Sequence, residues 1–518
     1  MERFRTELDQ RNPKRGGRRR WIFVPYDQLT DEVGPLGDEP PEELGIVVVE
    51  CPWKAARRPY HRQKLGLVLS SLRHFALEQA ERGVQVRHVV ADGPYRSALA
   101  PLADEVGPLR VMRPAERELR EDLAPLVASG RVEYVAHEGW LTSRGDFGAA
   151  LPEPPYRMDT FYRHVRRRTG ILMDDGRPRG GRFSFDGENR KPWKGEPPTP
   201  EPIVFGVDPI DREVERLIES RYSDHPGRLD LSRLPTTKAD VDRLWEFARS
   251  ECLPHFGPYE DAMSTRSRHL FHTQISPLLN LHRLLPGRVV DDALRLDLPL
   301  PSIEGFVRQV LGWREFVRHV HEATDGFRTT QEGNSPNHLG AATPLPPAYW
   351  GEKSGLHCLD TVVESVWEEG YSHHITRLMV LSNLASLLDV SPRELSDWFW
   401  VAYIDAYDWV VEPNVLAMGT FATGDLMTTK PYVSGSAYID RMSDYCGPCR
   451  FHPKKTCPIT SLYWDYLGRH AEALRGNPRL TLPLRSQAKR TDAQKAADRR
   501  TFEEVRETLL RGETLGPG

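Results

Sequence analysis

The first part of the chain alternates short β-branched segments with amphipathic helical segments. Five segments have the length and apolar content of strands: WIFVPYDQL, GIVVVECPW, VRHVVAD, LRVMRP and VEYVAH. Between the second and third of them, residues 64–82 show the apolar spacing of an amphipathic helix. This alternation predicts a parallel sheet covered by helices. No Gly-x-Gly-x-x-Gly fingerprint follows the first strand, which argues against a standard NAD site.

A different periodicity begins near residue 209. Apolar residues recur every three or four positions in REVERLIESRY, ADVDRLWEFARSEC, IEGFVRQVLGWREFVRHVHEA, HHITRLMVLSNLASLL and SPRELSDWFWVAYIDAY. Several of these segments start at an Asp or Ser suited to capping a helix. The pattern predicts a domain built from helices.

Two segments fit neither pattern. Residues 156–202 are rich in Gly, Pro and Arg, and we expect a linker too polar to bury a core. Residues 488–518 are predicted to form one charged helix on the surface. We therefore predict an α/β, Rossmann-like N-terminal domain and an all-α C-terminal domain, with the chain divided into residues 1–140, a linker at 141–208, the helical domain at 209–485 and a helical tail at 486–518.

Composition narrows the class of protein. A chain of 518 residues can bury sizeable cores, and six cysteines in that length argue against a disulfide framework. No apolar run reaches the roughly 18 residues of a membrane span, and the basic N-terminus lacks the apolar core of a secretory signal. With a net charge of −4, a surface for nucleic acid has to be a local patch. We expect a soluble, cytoplasmic monomer.

Four cysteines carry the strongest chemical signal. Cys446, Cys449 and Cys457 lie in MSDYCGPCRFHPKKTCPIT, and Cys358 lies upstream in SGLHCLDT. A close pair, a third thiol from a short loop and a fourth from another segment suit a four-thiolate metal site. Proline after the last ligand is common at iron–sulfur sites, whereas four cysteine thiolates also form structural zinc sites. Spacing alone leaves both metals open.

Aromatic residues are concentrated in the helical half. Core packing explains most aromatic residues of a large domain, and a flavin pocket with a relay of oxidisable rings is the functional alternative. Within twelve residues the chain places Trp398, Trp400, Tyr403, Tyr407 and Trp409.

The assembled motifs resemble one family. EGFVRQVLGWREFVRH, HHITRLMVLSN, DWFWVAYIDAYDWVVEPN and LMTTKPYVSGSAYIDRMSDYC look like the flavin-binding half of the cryptochrome/photolyase family. More narrowly, they resemble its bacterial iron–sulfur branch, the prokaryotic (6-4) photolyases. The resemblance continues through FSFDGENRKPWKG into the N-terminal half and covers nearly the whole chain. It implies an N-terminal antenna domain and a C-terminal FAD-binding domain.

The resemblance also implies cofactors and their ligands. FAD would be held non-covalently in a folded shape, with Arg377 paired to Asp405 beside the flavin ring. Such a buried ion pair is tolerable only when it is fully hydrogen-bonded. The other residues expected at FAD are Tyr259, His272, Thr273, Ser276, Asp408 and Asn414. A [4Fe-4S] cluster, rather than zinc, would be held by Cys358, Cys446, Cys449 and Cys457.

One position departs from the family pattern. A polar residue is usual near flavin N5, whereas the register of this chain puts Val411 there, with Glu412 next to it. The sequence leaves open which of the two faces N5.

The resemblance implies a light-driven repair of (6-4) photoproducts, which needs an electron and a proton. By position His374 resembles the family's acid, with His373 as its neighbour, and histidine suits this role because its charge changes near neutral pH. Trp398 and Trp350 would relay electrons to photoexcited flavin. The lesion would be flipped out of the duplex into the pocket.

Basic residues near the pocket mouth would contact the phosphates of UV-damaged DNA. The candidates are Arg179, Arg182, Arg190, Lys191, Lys194 and Lys430.

The antenna domain would bind 6,7-dimethyl-8-ribityllumazine as a light-harvesting pigment. By resemblance, Asp27, Glu50, Tyr60 and Lys64 would line this site. In the family the segment that corresponds to residues 26–29 is closer to GDQL. Tyr26 therefore stands in place of a glycine, and we expect its side chain to narrow the pigment pocket.

Three functions remain to be compared: a (6-4) photolyase, a cryptochrome-type photoreceptor without repair activity, and a DNA-binding protein that uses its cluster structurally. The adjacent His373 and His374 and the basic linker favour the enzyme, and the flavin motifs argue against the third.

Overall fold

The computed structural model describes residues 2–13, 19–328 and 335–516. Five strands form one parallel sheet in the order β3-β2-β1-β4-β5, which confirms the predicted α/β domain. The strands are β1 (Arg20–Val24), β2 (Leu44–Glu50), β3 (Gln85–Val90), β4 (Leu109–Met112) and β5 (Val132–Val135). Every residue of β2 is buried, as expected for a central strand with helices on both faces.

The strand order reverses between β1 and β4. In open sheets of this kind a crevice forms outside the carboxyl ends of the two strands at the reversal. β1 leads directly to Tyr26 and Asp27, and β4 leads to Glu116, so these residues belong to the crevice region. The covering helices are α1 (Glu2–Arg11), α2 (Pro35–Asp38), α3 (Pro52–Ala56), α4 (Arg62–Glu81), α5 (Tyr95–Val106) and α6 (Arg117–Ala128).

The segment expected to be a polar linker contains regular structure. It forms α7 (Arg144–Ala150), α8 (Met158–Thr169), β6 (Met173–Asp174) and β7 (Arg177–Pro178). Phe161 and Val165 of α8 are fully buried, and Trp193 is buried further along. The prediction that residues 156–202 are too polar to bury a core is therefore wrong, because one apolar face of a short helix is enough to dock an Arg-rich segment.

Helices account for most of the remaining described chain, as predicted. They are α9 (Pro209–Arg221), α10 (Lys238–Phe247), α11 (Leu253–Tyr259), α12 (Ser276–Leu281), α13 (Pro286–Leu294), α14 (Leu300–Val307), α15 (Glu315–Ala323), α16 (His357–Glu369), α17 (His374–Thr376), α18 (Asn383–Leu387), α19 (Pro392–Ala402), α20 (Asp408–Glu412), α21 (Ser436–Met442), α22 (Pro458–Arg469), α23 (Thr481–Ala488) and α24 (Asp492–Leu510). The charged tail helix α24 packs on α22 through Phe502, Val505 and Leu509. None of the helices in the described ranges is long and apolar enough to cross a membrane.

Wider, π-helical turns interrupt or extend the helices of this domain at four places. They are Ala248–Cys252, Arg308–Arg314, Arg377–Ser382 and Pro413–Gly419. A π-turn inserts an extra residue into a helix and is often found at functional sites. The last three of these turns border the main cavity of the helical domain.

Candidate functional site

A cavity of about 800 Å³ lies inside the helical domain. This volume falls within the range of about 300–1,000 Å³ typical of ligand and cofactor sites. Its wall combines apolar side chains such as Phe306, Val317 and Met418 with charged groups. The cavity is therefore large enough and chemically mixed enough for a sizeable ligand with a flat ring and polar attachments.

A hydrogen-bonded ion pair forms one wall of the cavity. The Arg377 Nη1 and Nη2 atoms donate to Asp405 Oδ1 and Oδ2 at 2.9 and 3.0 Å. Ser276 Oγ donates to the same carboxylate at 2.6 Å, and Asn280 Nδ2 donates to the Asp405 carbonyl at 2.8 Å. Burial alone would lower the pKa of Arg377, but the Asp405 carboxylate raises it above its ordinary value. The pair is thus fully hydrogen-bonded, as a buried ion pair has to be.

Most of the residues expected at FAD line this cavity. They are His272, Thr273, Ser276, Arg377, Asp405 and Asn414, together with Val411. Val411, and not Glu412, faces the cavity. The Glu412 carboxylate lies behind it and is bonded to His321 and Arg393 at 2.8 and 2.9 Å.

Two predicted residues lie outside the cavity. Asp408 Oδ2 accepts from the backbone N–H groups of Arg117 and Glu118 at 2.6 and 3.3 Å, so it caps helix α6 of the other domain. Tyr259 donates from its hydroxyl to the Glu196 carbonyl at 3.1 Å and packs on Phe271. The sequence interpretation of both side chains as pocket residues is corrected by these contacts.

The cavity wall presents buried polar atoms that have no partner among the described residues. They include His272 Nε2, Arg314 Nε and Ser434 Oγ. Buried polar groups are nearly always hydrogen-bonded, so orphaned groups on a cavity wall indicate a bound molecule. A cofactor that combines a flat ring with phosphate and hydroxyl groups, such as FAD, fits this wall.

Three histidines meet at one end of the cavity. The rings of His272 and His373 stack with centroids 4.3 Å apart, and the ring of His374 lies 5.5 Å from His272. Burial first, and then the neighbouring imidazoles, hold the pKa values of His272 and His373 well below the ordinary value. His374 differs, because its side chain is 45% exposed and its Nε2 lies 3.7 Å from Asp261 Oδ1.

The same end of the cavity is lined by ionic side chains. Burial raises the pKa of Glu260, whose carboxylate accepts from Gln309. Burial, and then the charges of Arg479 and Arg190, lower the pKa of Lys430, so these three cations lie close together. The full ionic set at this end is Asp186, Arg190, Glu260, Asp261, Arg308, Lys430, Arg441 and Arg479.

The predicted DNA-contacting residues divide into two groups. Arg190 and Lys430 line the cavity mouth. Arg182 pairs with Glu188 and Arg179 pairs with Asp174 on the surface, while Lys191 and Lys194 are exposed. Arg441 and Arg479 also lie at the mouth and were missed, because no local motif distinguishes them from ordinary surface arginines.

A continuous series of aromatic rings leads from the cavity wall to the surface. Tyr403 lines the cavity and lies 6.0 Å from buried Trp398, measured between ring centroids. Trp367 lies 6.0 Å from Trp398 and stacks on Trp350 at 5.6 Å. Trp350 is 48% exposed.

The two inner indoles of this series are held by one backbone carbonyl. Nε1 of Trp398 and Nε1 of Trp367 both donate to the Tyr349 carbonyl, at 3.0 and 2.9 Å. Trp367 therefore bridges the two tryptophans that the sequence suggested. It was missed because it lies on α16, far from the aromatic-rich run.

The four cysteines of the motif come together around one core region. Burial first, and then the other three thiols, raise the pKa of Cys358 well above its ordinary value. Among the described residues, no three of these sulfur atoms lie within 4.8 Å of one another. A tetrahedral zinc with Zn–S bonds of about 2.3 Å would hold its sulfurs about 3.8 Å apart. The described thiols are therefore not arranged at the spacing of a single bound zinc ion.

The N-terminal domain has a much smaller cavity, of about 90 Å³. Of the residues expected at an antenna pigment, Glu50, Tyr60 and Lys64 line it, whereas Asp27 lies outside it. This volume is well below the range of about 300 Å³ and above for ligand sites. The residues present do not fit a bicyclic pigment with a sugar-like chain.

Comparison with known proteins identifies relatives over most of the chain. A family model described as deoxyribodipyrimidine photo-lyase-related protein matches residues 22–233, and one described as the FAD binding domain of DNA photolyase matches residues 306–438. A (6-4) photolyase of Agrobacterium fabrum is 33% identical over 490 residues, which cover 91% of this chain and 96% of that protein.

Two further comparisons are more limited. The crystal structure of a bacterial class III photolyase from Agrobacterium tumefaciens superposes with a TM-score of 0.54 over 96% of this chain and 99% of that one. At 15% identity this similarity shows a shared fold. An uncharacterized protein of Acanthamoeba polyphaga mimivirus is 41% identical over 66 residues, 13% of this chain and 54% of that protein.

Replacement of Asp405 by Asn tests the ion pair at the cavity wall. It leaves the Arg377 guanidinium without a counter-charge, and breaking a buried pair in this way costs about 3–5 kcal/mol. We expect a clear fall in the urea concentration at half-unfolding, followed by circular dichroism. The control is Glu105→Gln, which removes half of the exposed Arg87–Glu105 pair and costs at most about 1 kcal/mol. Equal midpoints for the two variants would contradict the structural role of the pair.

Proposed function

Because this chain belongs to the cryptochrome/photolyase family, we propose that it is a light-driven DNA repair enzyme that reverts (6-4) photoproducts. The observation that carries the proposal is that two features line the same cavity of about 800 Å³. The Arg377–Asp405 pair, which is expected beside a flavin, lines this cavity. The exposed His374 lines it one helical turn before Arg377, next to charged side chains of both signs. The full-length similarity to a (6-4) photolyase supports the same activity.

We propose that the cavity holds FAD. Arg377 and Asp405 would lie beside the flavin ring, while Thr273 and Ser276 would offer hydroxyl groups to the diphosphate. Val411 would face the ring where the family usually has a polar side chain. Reduced FAD, when bound and illuminated, supplies the electron that starts repair.

The proton donor in this proposal is His374. Its imidazole lines the cavity and is partly exposed, and its Nε2 lies 3.7 Å from Asp261 Oδ1. The buried and neutral His272 and His373 lie behind it and hold its position. An acid near the flavin is needed because a hydroxyl group has to return from one pyrimidine to its neighbour.

The substrate in this proposal is UV-damaged DNA with the lesion flipped out of the duplex. Arg190, Lys430, Arg441 and Arg479 at the cavity mouth would contact the phosphates on either side of the lesion. A damaged and poorly stacked base costs least to extrude, which adds to selectivity.

The proposed electron route follows the aromatic series to the surface. Trp398 gives an electron toward the cavity, Trp367 refills Trp398, and Trp350 refills Trp367. An external thiol or similar reductant then restores Trp350, which is the exposed end of the series. Trp367 is included because its ring contacts both of the others.

The four-cysteine site is proposed to hold a [4Fe-4S] cluster. The proline after the last cysteine of the motif and the resemblance to the family's iron–sulfur branch support a cluster over a single zinc ion. An antenna pigment is left out of the proposal, because the N-terminal cavity of about 90 Å³ does not fit one.

The repair proposal is tested with His374→Ala. We expect this variant to retain FAD, to be photoreduced and to bind damaged DNA, but to repair a defined (6-4) oligonucleotide about 10²–10⁴-fold more slowly. The measurement is illumination of the oligonucleotide with reduced protein, followed by chromatography of the product.

Two outcomes would change this conclusion. A wild-type protein that repairs nothing, although light alters its flavin, would favour the photoreceptor alternative. Wild-type repair by His374→Ala would place the acid elsewhere, with His373 as the next candidate.

The electron route is tested by three single changes to Phe, at Trp398, Trp367 and Trp350. Each should slow light-driven flavin reduction in the presence of a thiol and leave FAD bound. Trp464→Phe is the matched control, since Trp464 is half-buried on α22 and stacks only on Tyr463 among the rings of the described residues. Photoreduction at the wild-type rate in Trp367→Phe would remove that residue from the route.

The cluster proposal is tested by metal analysis and by Cys449→Ala. Anaerobically purified protein should contain close to four iron atoms and four sulfides per chain. Cys449→Ala should lose iron and unfold the helical domain, because thiolate metal sites couple to folding. Cys252→Ala, which changes a buried cysteine outside the motif, should keep its iron. Stoichiometric zinc without iron would contradict the proposal.

A further inference from the structure

The crevice of the N-terminal sheet is occupied by the side chain of Tyr26. Ligands of open α/β sheets bind outside the carboxyl ends of the strands where the strand order reverses. Tyr26 follows β1 at this position and is 6% exposed. The ring therefore fills the place where the topology of the sheet would otherwise admit a ligand.

The ring of Tyr26 lies between two other aromatic rings. Its centroid is 6.1 Å from that of Tyr407 with an interplanar angle of 18°, and 6.3 Å from that of Tyr95 with an angle of 31°. Offset stacking at such distances is the geometry that a flat heterocycle adopts in an aromatic slot. Tyr26 thus lies between the two rings, stacked on Tyr407 and tilted against Tyr95.

Polar contacts hold this ring in place. The Tyr26 hydroxyl donates to the Glu116 carboxylate, which also accepts from Lys54 Nζ at 2.6 Å. The Lys54 ammonium lies 5.1 Å from the centre of the Tyr26 ring. Both ends of the side chain are fixed, so rotation of Tyr26 out of the slot would break a buried hydrogen bond.

Two charged groups that line the small cavity already form hydrogen bonds within the protein. The Glu50 carboxylate accepts from Arg73 Nε at 2.7 Å and is bonded to His88 Nε2 at 3.0 Å. Lys64 Nζ donates to the carbonyls of Trp400 and Ala406 at 3.1 and 2.5 Å. Neither group is left to bind the polar edge of a pigment.

We infer that Tyr26 closes the crevice of the N-terminal domain, so that this chain excludes a bicyclic pigment, and that removal of the ring opens a slot for one between Tyr95 and Tyr407. The same chain keeps a cavity of about 800 Å³ in its helical domain, against about 90 Å³ here. One wall of this slot, Tyr407, belongs to the helical domain, and the inference does not rest on the repair activity.

The test compares the wild type with Tyr26→Gly and Tyr26→Phe, each purified with its flavin in place. Equilibrium dialysis against 6,7-dimethyl-8-ribityllumazine measures the pigment bound per chain at one fixed free concentration. The wild type and Tyr26→Phe, which keeps the ring, should bind no pigment above a serum albumin control. Tyr26→Gly should bind at least tenfold more and approach one molecule per chain.

Each other outcome overturns part of the inference. Stoichiometric pigment in the wild type would show that the crevice is open. A folded Tyr26→Gly protein without pigment would show that Tyr26 is not the residue that excludes it. If Tyr26→Gly does not fold, Tyr26→Ser replaces it, and the wild-type measurement still decides whether the crevice is closed. Loss of DNA repair in any of these proteins leaves the binding result unaffected.

Discussion

The cavity of the helical domain depends on the ion pair between Arg377 and Asp405. Arg377 lies on a π-helical turn and Asp405 lies in the loop after α19, while Ser276 at the start of α12 binds the same carboxylate. Three separate segments thus meet at one buried charge. The guanidinium also lies 4.1 Å from the ring centre of Tyr403, which is the first ring of the series that reaches Trp350. The cavity wall and the series of aromatic rings are therefore in contact at Arg377.

Two buried groups tie the N-terminal domain to this wall. Lys64 of α4 donates to the carbonyl of Ala406, the residue after Asp405. Asp408 accepts from the first backbone N–H groups of α6, where a carboxylate also compensates the positive end of the helix. The loop that carries Asp405 is thus held on its other side by the α/β domain. Lys64, one of the residues expected at an antenna pigment, thus has a structural contact with the helical domain.

The sequence predicted the elements with strong periodicity, because five apolar runs and long amphipathic segments allow few other arrangements. It also predicted the pairing of Arg377 with Asp405, through resemblance to a family. The predictions failed at residues whose contacts depend on the direction in which the side chain points. Asp408 is close to Asp405 in the chain, yet it starts a helix and points to α6. Tyr259 ends a helix and packs on Phe271. Trp367 lies on another helix, so only the folded chain brings it between Trp398 and Trp350.

The three histidines show how burial assigns different roles to one residue type. His272 and His373 are stacked and nearly inaccessible, and a charge on either would face the other ring and Arg377, so both stay neutral. His374 is the residue after His373, but it is 45% exposed and faces Asp261. Burial thus separates two enclosed, neutral imidazoles from one that is open to solvent and lies beside a carboxylate.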